Sequence, residues 1–229
     1  MKNLNNLERS IKIDFQNKNL LAQAMVHRSF LNENPNSNLS SNERMEFLGD
    51  AVLSFIISDF LYTRFPHYQE GDLTNLRSRI VRTTSLAQIA KKLRLGDYLL
   101  MGRGEEESGG KQKASLLANS VEALIGAVYL DQGVKAADSF IKQEFSSLIE
   151  KLVKEPKAKD FKSTLQEKVQ SKTKTAPAYR TLKASGPPHS RTFTIGVFLK
   201  RKLIAEGRGN NKQEAEQKAA QVALEKLGR

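Results

Sequence analysis

An apolar segment spanning residues 42–65 is the strongest indication of the fold. It contains a single glycine, Gly49, and no proline. On the helix that this segment predicts, apolar side chains fall on more than one side: Met45, Phe47, Leu48, Val52, Leu53, Phe55, Ile56, Phe60 and Leu61. A helix that is apolar on several sides is typically buried against other helices. The segment therefore predicts a central helix, ended by Pro66, that is packed over most of its surface.

The rest of the first 150 residues also favours helices, and no strand alternation is found before residue 175. Helices are predicted over residues 73–95, with Gly96 as a stop, and over residues 113–130 and 134–153. A glycine-rich segment, residues 102–110, is predicted to be a loop. It lacks the preceding strand and helix-opening glycine of a nucleotide-binding loop, so no organic cofactor is expected. We predict an all-α domain over residues 1–152.

The pattern changes after a charged segment with one proline, residues 153–159, which is typical of a linker. Residues 160–170 predict a helix, and residues 178–185, 193–199 and 203–207 predict strands. A final helix is predicted over residues 211–227, beginning with a capping box formed by Asn211 and Glu214. The α-β-β-β-α order predicts a small α+β domain over residues 160–229.

The charge is concentrated in this second part. Residues 1–150 hold 18 Lys and Arg against 18 Asp and Glu, whereas residues 151–229 hold 19 against 7, which accounts for the whole net charge of +12. A small basic segment attached to a neutral body indicates a module that binds a polyanion.

Two further features of composition exclude classes of function. The chain has no cysteine and three scattered histidines, which excludes disulfides, thiolate zinc sites and a cysteine nucleophile. The N-terminus has no apolar signal-peptide core, and the most apolar run is too short to span a bilayer. A cytoplasmic protein without a membrane partner is expected.

Acidic residues in the apolar segment are the candidate functional groups. Glu43, Glu46 and Asp50 are spaced to share one face of the predicted helix. Asn119 and Glu122 are three residues apart in the predicted helix 113–130. Oxygen ligands without His or Cys suit Mg²⁺ or Mn²⁺ and hardly suit zinc.

The spacing leaves two interpretations of these acids open. If the two helices face each other, they build a site that holds divalent ions against a phosphate, as in metal-assisted phosphodiester hydrolysis. Alternatively, the acids solvate one helix edge or pair with Arg44 or Arg77. Spacing does not prove that the helices touch.

A resemblance to a known family favours the first interpretation. The segment NERMEFLGDAVL, residues 42–53, closely resembles the signature of bacterial ribonuclease III. AMVHRS at residues 24–29, EGDLT at 70–74 and LANSVEALIG at 117–126 support it, and residues 160–228 resemble a double-stranded-RNA-binding domain. The resemblance implies an all-helical endonuclease domain that works as a homodimer with Mg²⁺, for which Mn²⁺ can substitute. It also implies cleavage of both strands of duplex RNA to 5′-phosphate products with short 3′ overhangs, in the processing of precursors such as rRNA and mRNA.

Position by position, the resemblance assigns Glu46, Asp50 and Glu122 to the catalytic metal ligands, with residue 119 as a fourth ligand. The family usually has aspartate where this chain has Asn119. An amide oxygen can ligate a hard cation but adds no negative charge, so weaker Mg²⁺ binding is expected. The alternative is a dimeric double-stranded-RNA-binding protein with attenuated or no cleavage because of Asn119.

The resemblance also assigns residues outside the metal site. Glu43 and Glu70 match accessory acids of the catalytic valley, and Phe47 matches an aromatic at the dimer interface. The expected RNA-binding residues are Gln166, Glu167, Gln170, Pro188, His189 and Lys212. His27 is expected to be structural rather than catalytic.

Overall fold

A computed structural model describes residues 3–154, 161–173, 175–187 and 191–227. Its contacts divide the chain into two compact units, Met1–Glu155 and Pro156–Arg229. Within the described residues, no helix combines the length and apolarity needed to cross a membrane.

The first unit is helical, as predicted. Its helices are α1 (Leu4–Ile11), α2 (Lys18–Ala24), α3 (Arg28–Glu33), α4 (Glu43–Arg64), α5 (Glu70–Val81), α6 (Thr83–Lys92), α7 (Arg103–Glu107) and α8 (Ala114–Lys154). The apolar segment forms α4, and its buried residues Leu53, Ile57 and Leu61 belong to the core shared with α8. The helices predicted over residues 113–130 and 134–153 form the two arms of α8, which bends at Gly133, where φ is +78°.

Two local predictions in this unit are wrong. Residues 73–95 do not form one helix, because the chain turns at Arg82, whose φ of −64° and ψ of 151° are extended. No glycine or proline marks this break. The glycine-rich segment is not entirely loop either, because residues 103–107 form α7.

The prediction that α4 is packed over most of its surface is wrong for one face. Phe47, Phe55 and Tyr62 are 80%, 63% and 76% exposed. Their spacing places them on one side of the helix. We call these three residues the aromatic face of α4. A single chain leaves this face open, and exposed apolar surface of this kind indicates an interaction site.

The second unit has the predicted α-β-β-β-α order. It comprises α9 (Phe161–Thr173), β1 (Ala178–Ser185), β2 (Thr192–Leu199), β3 (Lys202–Gly209) and α10 (Lys212–Leu227). The strands form an antiparallel sheet in the order β1-β2-β3. Leu165 and Val169 of α9 are buried with Val197 of β2 and with the alanines of α10. These small side chains let α10 lie close to the sheet, where a Cβ built on Gly207 would lie 2.2 Å from the backbone nitrogen of Ala219.

Candidate active site

The site is positioned by a close crossing of α4 and α8. A Cβ built on Gly49 would lie 1.8 Å from the carbonyl oxygen of Glu122, and one built on Gly126 would lie 2.3 Å from the carbonyl oxygen of Met45. Only glycine fits at either position, because a backbone atom cannot move aside as a flexible side chain can. Two glycines in apolar helices therefore bring the two helix backbones into contact.

This crossing answers the question that spacing left open, because it brings the two groups of polar residues together. Glu46 and Asp50 lie on α4 beside Gly49, and Glu122 lies on α8. Burial, together with the negative charges of Asp50 and Glu46, raises the pKa of Glu122 to about 7. The three carboxylates are thus close enough to repel one another.

Asn119 interacts with the same group of acids. Burial raises the pKa of Glu46, and the nearby charges of Glu43 and Asp50 act in the same direction, while a hydrogen bond from the Asn119 side chain opposes them. The amide of Asn119 therefore stabilises the ionised form of Glu46. An aspartate at this position could not donate that hydrogen bond when ionised.

Glu43 lies at the edge of this group. Its carboxylate accepts a hydrogen bond from Ser41 Oγ at 3.1 Å and pairs with Arg28 Nη1 at 3.3 Å. The alternative interpretation of the acids involved Arg77, which instead donates to Ser58 Oγ at 3.0 Å.

The oxygen atoms of these side chains are chemically suited to bind a hard divalent cation. Within the described ranges, no three His, Cys, Asp or Glu side chains form a ready-made metal cluster. The negative charges of Asp50 and Glu46 repel the Glu122 carboxylate and contribute to its raised pKa. A cation among Glu46, Asp50, Asn119 and Glu122 would relieve that repulsion, and oxygen ligands of this kind suit Mg²⁺ or Mn²⁺.

A cleft of about 320 Å³ opens beside these acids. Its polar lining includes Glu46, Asn119, His27, Arg28 and Glu43. Leu99, Met101 and Leu116 supply apolar surface. The position of His27 is set by the backbone, because His27 N–H donates to Leu100 O at 2.9 Å and helix α3 begins at the next residue, Arg28. We call this space the α3–α8 cleft.

Two of the predicted residues lie away from the acids of the crossing. Glu70 begins α5, accepts a hydrogen bond from Thr74 Oγ1 at 2.9 Å and lines a separate cavity with Phe55 and Tyr62. Phe47 belongs to the aromatic face of α4. In a single chain, neither contributes to the acidic group.

The second unit exposes most of the residues expected to bind RNA. Gln166, Glu167 and Gln170 are exposed on α9, opposite the buried Leu165 and Val169. Lys212 is exposed at the first turn of α10. Asn211 caps this helix by accepting a hydrogen bond from Glu214 N at 2.8 Å, as the capping box predicts. Pro188 and His189 lie outside the described residues.

Two features of the site were not identified from the sequence. The cleft-lining role of His27 and Arg28 was missed because both precede α4 by many residues and only the fold brings them to the site. The crossing glycines were also missed, although an isolated glycine in each apolar helix was the available signal.

Comparisons with known proteins agree with this architecture. A family model described as Ribonuclease-III-like matches residues 17–149, and the double-stranded RNA binding motif matches residues 161–227. The chain is 48% identical over 225 residues to Ribonuclease 3 of Carboxydothermus hydrogenoformans, covering 98% of this chain and 96% of that protein. It is 46% identical over 227 residues to Ribonuclease 3 of Dehalococcoides mccartyi strain 195, covering 99% and 96%.

A solved structure is similar to the first unit. The nuclease domain of ribonuclease III from Campylobacter jejuni matches with a TM-score of 0.59 and 41% identity, covering 63% of this chain and 97% of that one. The helical unit, the α-β-β-β-α unit and these matches together show that the chain belongs to the ribonuclease III family of double-strand-specific endoribonucleases.

Proposed function

We propose that this protein is a Mg²⁺-dependent endoribonuclease that cleaves both strands of double-stranded RNA to 5′-phosphate products with short 3′ overhangs. Its proposed substrates are structured precursors of rRNA and mRNA, and the cytoplasm is the expected compartment. The observation that carries the proposal is the gathering of Glu46, Asp50 and Glu122 around the α4–α8 crossing.

The proposed metal ligands are Glu46, Asp50, Asn119 and Glu122. A Mg²⁺ ion held by these four residues would supply Lewis-acid chemistry, namely activation of water and stabilisation of negative charge on the phosphate oxygens. The residues of the chain prepare the site. Burial and the neighbouring charges hold the pKa of Glu122 at about 7. A nearby cation would therefore stabilise the ionised form of this carboxylate. The hydrogen bond from the Asn119 side chain opposes the effect of burial on Glu46 and favours its ionised form, which is the form that ligates a cation. Glu43 and Glu70 are proposed accessory acids.

The proposed homodimer is supported by the aromatic face of α4. Phe47 is 80% exposed and lines a cavity of about 610 Å³ together with Leu48 and Leu130. An aromatic side chain beside an apolar cavity suits a symmetric contact in which each copy offers the same surface to the other. The solved nuclease domain from Campylobacter jejuni is described as having a region involved in dimer formation.

The proposed RNA-binding surface lies in the second unit, which carries the excess positive charge. Double-stranded RNA exposes 2′-hydroxyls in its minor groove and phosphates on both sides, and domains of this type span about 16 base pairs. Gln166, Glu167 and Gln170 would contact one minor groove from α9. Lys212 would contact phosphate at the start of α10, where backbone N–H groups also favour anions. Pro188 and His189 complete the proposed set.

The decisive experiment is incubation of a long RNA duplex with the full chain across a Mg²⁺ series, with the products sized on a denaturing gel. Short fragments with 5′-phosphates are expected from the wild type. Glu122→Gln should remove cleavage and leave duplex affinity unchanged, because it withdraws a charged ligand but no RNA contact. Near-wild-type cleavage by this variant would exclude the proposed site.

The neutral side chain of Asn119 favours a second candidate, an RNA-binding protein with little cleavage. The same experiment separates the two functions. Tight duplex binding without fragments at any Mg²⁺ or Mn²⁺ concentration would support the second candidate.

A further inference from the structure

The α3–α8 cleft contains a histidine nitrogen that the fold does not use. His27 caps α3 through Nδ1, which accepts the backbone N–H of Ser29 at 3.3 Å and lies 2.7 Å from Ser29 Oγ. Ser29 Oγ in turn accepts the backbone N–H of Gly102 at 2.9 Å, so its own hydrogen is directed to Nδ1. Nδ1 is therefore an acceptor, and the proton of a neutral ring lies on Nε2.

Nε2 of His27 has no hydrogen-bond partner among the described residues, and His27 lines the cleft. Burial lowers the pKa of His27; Arg28 and Lys113 act in the same direction, and Glu105 and Glu43 oppose them. The ring is accordingly neutral at neutral pH and presents one N–H donor. A half-buried donor without a protein partner is suited to a ligand.

The charges of the cleft decide which part of an RNA strand can occupy it. Among the described residues that line it, Glu43 and Glu46 are acidic and Arg28 is the cation, already paired with Glu43. This net negative lining disfavours a phosphate, because a like charge would be desolvated beside the two acids. A neutral group that both donates and accepts hydrogen bonds suits the N–H donor and the carboxylate acceptors. The 2′-hydroxyl of RNA is such a group.

The size and position of the cleft agree with this assignment. Its volume of about 320 Å³ corresponds to about ten water molecules, which leaves room for a sugar. The apolar surface of Leu99, Met101 and Leu116 suits the carbon face of a ribose. Glu46 and Asn119 belong both to the cleft and to the proposed metal site, so a sugar in the cleft would neighbour the phosphate that is cleaved.

We propose that the α3–α8 cleft binds the ribose of a nucleotide adjacent to the scissile phosphate, with His27 Nε2–H donating to its 2′-hydroxyl. This rests on the proposed cleavage function and deepens it. His27 is then a residue that distinguishes RNA from DNA at the cleavage site, in addition to its role as the cap of α3.

Substitutions of His27 can separate its role as the cap of α3 from its proposed contact with the ribose. His27→Asn places an amide oxygen near the position of Nδ1, so it keeps the cap and removes the distal N–H. His27→Gln places an amide near the position of Nε2. His67→Asn is the matched control, because His67 is exposed and does not line the cleft.

The substrate is a short RNA duplex whose cut position is first mapped with the wild type. The duplex is then synthesised again with single 2′-deoxy substitutions at the nucleotides that flank the cut. Matching 2′-fluoro duplexes, which keep the A-form sugar pucker, control for changes in helix shape.

At one flanking nucleotide, loss of the 2′-hydroxyl should slow wild-type cleavage about 3- to 10-fold, the effect of one hydrogen bond. His27→Asn should slow cleavage of the all-ribose duplex by a similar factor. This variant should cleave the 2′-deoxy duplex as fast as the all-ribose duplex, because the contact is already lost. His27→Gln should recover part of the rate, and His67→Asn should behave as the wild type. The same coupling should appear in duplex affinity measured on the Glu122→Gln background, where no cleavage occurs.

The proposal would be overturned if His27→Asn and removal of the 2′-hydroxyl slowed cleavage independently, so that their two factors multiplied. It would also be overturned if removal of no flanking 2′-hydroxyl changed the rate of wild-type cleavage. In either case cleavage by the wild type still stands, so the proposed function is unaffected. If the wild type cleaves no duplex, the proposed function and this inference fail together.

Discussion

Gly49 of α4 packs directly against the backbone of Glu122 in α8, where an added Cβ would lie 1.8 Å from the Glu122 carbonyl oxygen. The same residue that approaches Gly49 through its backbone carries a proposed metal ligand on its side chain. Helix packing and site geometry therefore both depend on this contact. A change that separates the helices must also separate Glu46 and Asp50 from Glu122.

Gly49→Ala should both destabilise the first unit and abolish cleavage. The added methyl group meets backbone rather than a flexible side chain, so the helices must move apart, at a cost of about 1–3 kcal/mol. Gly71→Ala is the control, because Gly71 is an exposed position of α5 with no atom within 4 Å of an added Cβ. That variant should be as stable as the wild type or up to about 1 kcal/mol more stable. Thermal melts and duplex cleavage of both variants check the prediction, and equal melting temperatures would contradict it.

Glu122 should make the metal-free protein less stable as the pH rises. Its ordinary pKa of 4.5 is raised to about 7 in the folded chain. The folded state therefore binds this proton more tightly than the unfolded chain, and the stabilisation present below pH 4.5 is lost as the pH rises through about 7. Urea unfolding in a chelator at pH 5 and pH 7.5 measures the loss.

Glu122→Gln should remove most of this pH dependence, because the amide does not titrate. Mg²⁺ should restore stability to the wild type at pH 7.5 more than to the variant. The same pH dependence in both proteins would assign it to other groups.

Asn119→Asp should lower the Mg²⁺ concentration that gives half-maximal cleavage, by several-fold. The substitution adds a negative charge beside Glu46 and removes the hydrogen bond that Asn119 donates to it. The metal-free variant should consequently melt at a lower temperature, and its stabilisation by Mg²⁺ should be larger. Melts with and without Mg²⁺ accompany the cleavage titration. An unchanged Mg²⁺ midpoint would make residue 119 a partner that orients Glu46 rather than a direct ligand.

Phe47→Ala should weaken the proposed homodimer without unfolding a single chain. Phe47 is 80% exposed, so its removal costs little packing within one copy, whereas burial against a second copy would be worth a few kcal/mol. Sedimentation over a concentration series measures the dissociation constant. Leu203→Ala, at an exposed apolar position of β3, should leave dissociation unchanged. A Phe47→Ala variant that dissociates at the same concentration as the wild type would remove Phe47 from the interface.

A chain shortened to residues 1–154 should bind duplex RNA weakly and with a smaller salt dependence. The retained part is nearly neutral, and almost all of the positive charge is removed with the second unit. Fewer phosphate contacts release fewer counterions, so the slope of log affinity against log salt becomes shallower. Cleavage should persist at low salt and high Mg²⁺, because every proposed metal ligand precedes residue 123. Unaltered affinity and slope would show that the first unit alone binds the RNA.

Patterns in the sequence predict the fold class, the change of architecture after residue 160 and the candidate acids. These depend on local quantities: the apolar pattern of residues 42–65, the alternation in β2, the capping box of α10 and the charge of each segment. Hydrophobic burial acts on such patterns wherever they occur, so they can be interpreted without knowing which segments meet. The resemblance to ribonuclease III added the expected roles of Glu46, Asp50 and Glu122 as metal ligands.

The residues that share a site are brought together by contacts between distant segments, which no local pattern predicts. No glycine or proline marks the break at Arg82. The exposed aromatic face of α4 consists of large apolar side chains, as does its buried face. His27 reaches the cleft because its backbone pairs with Leu100, a contact between segments far apart in the chain. The raised pKa of Glu122 depends on the approach of α4 to α8 at Gly49 and Gly126, because charge repulsion and desolvation act through space rather than along the chain.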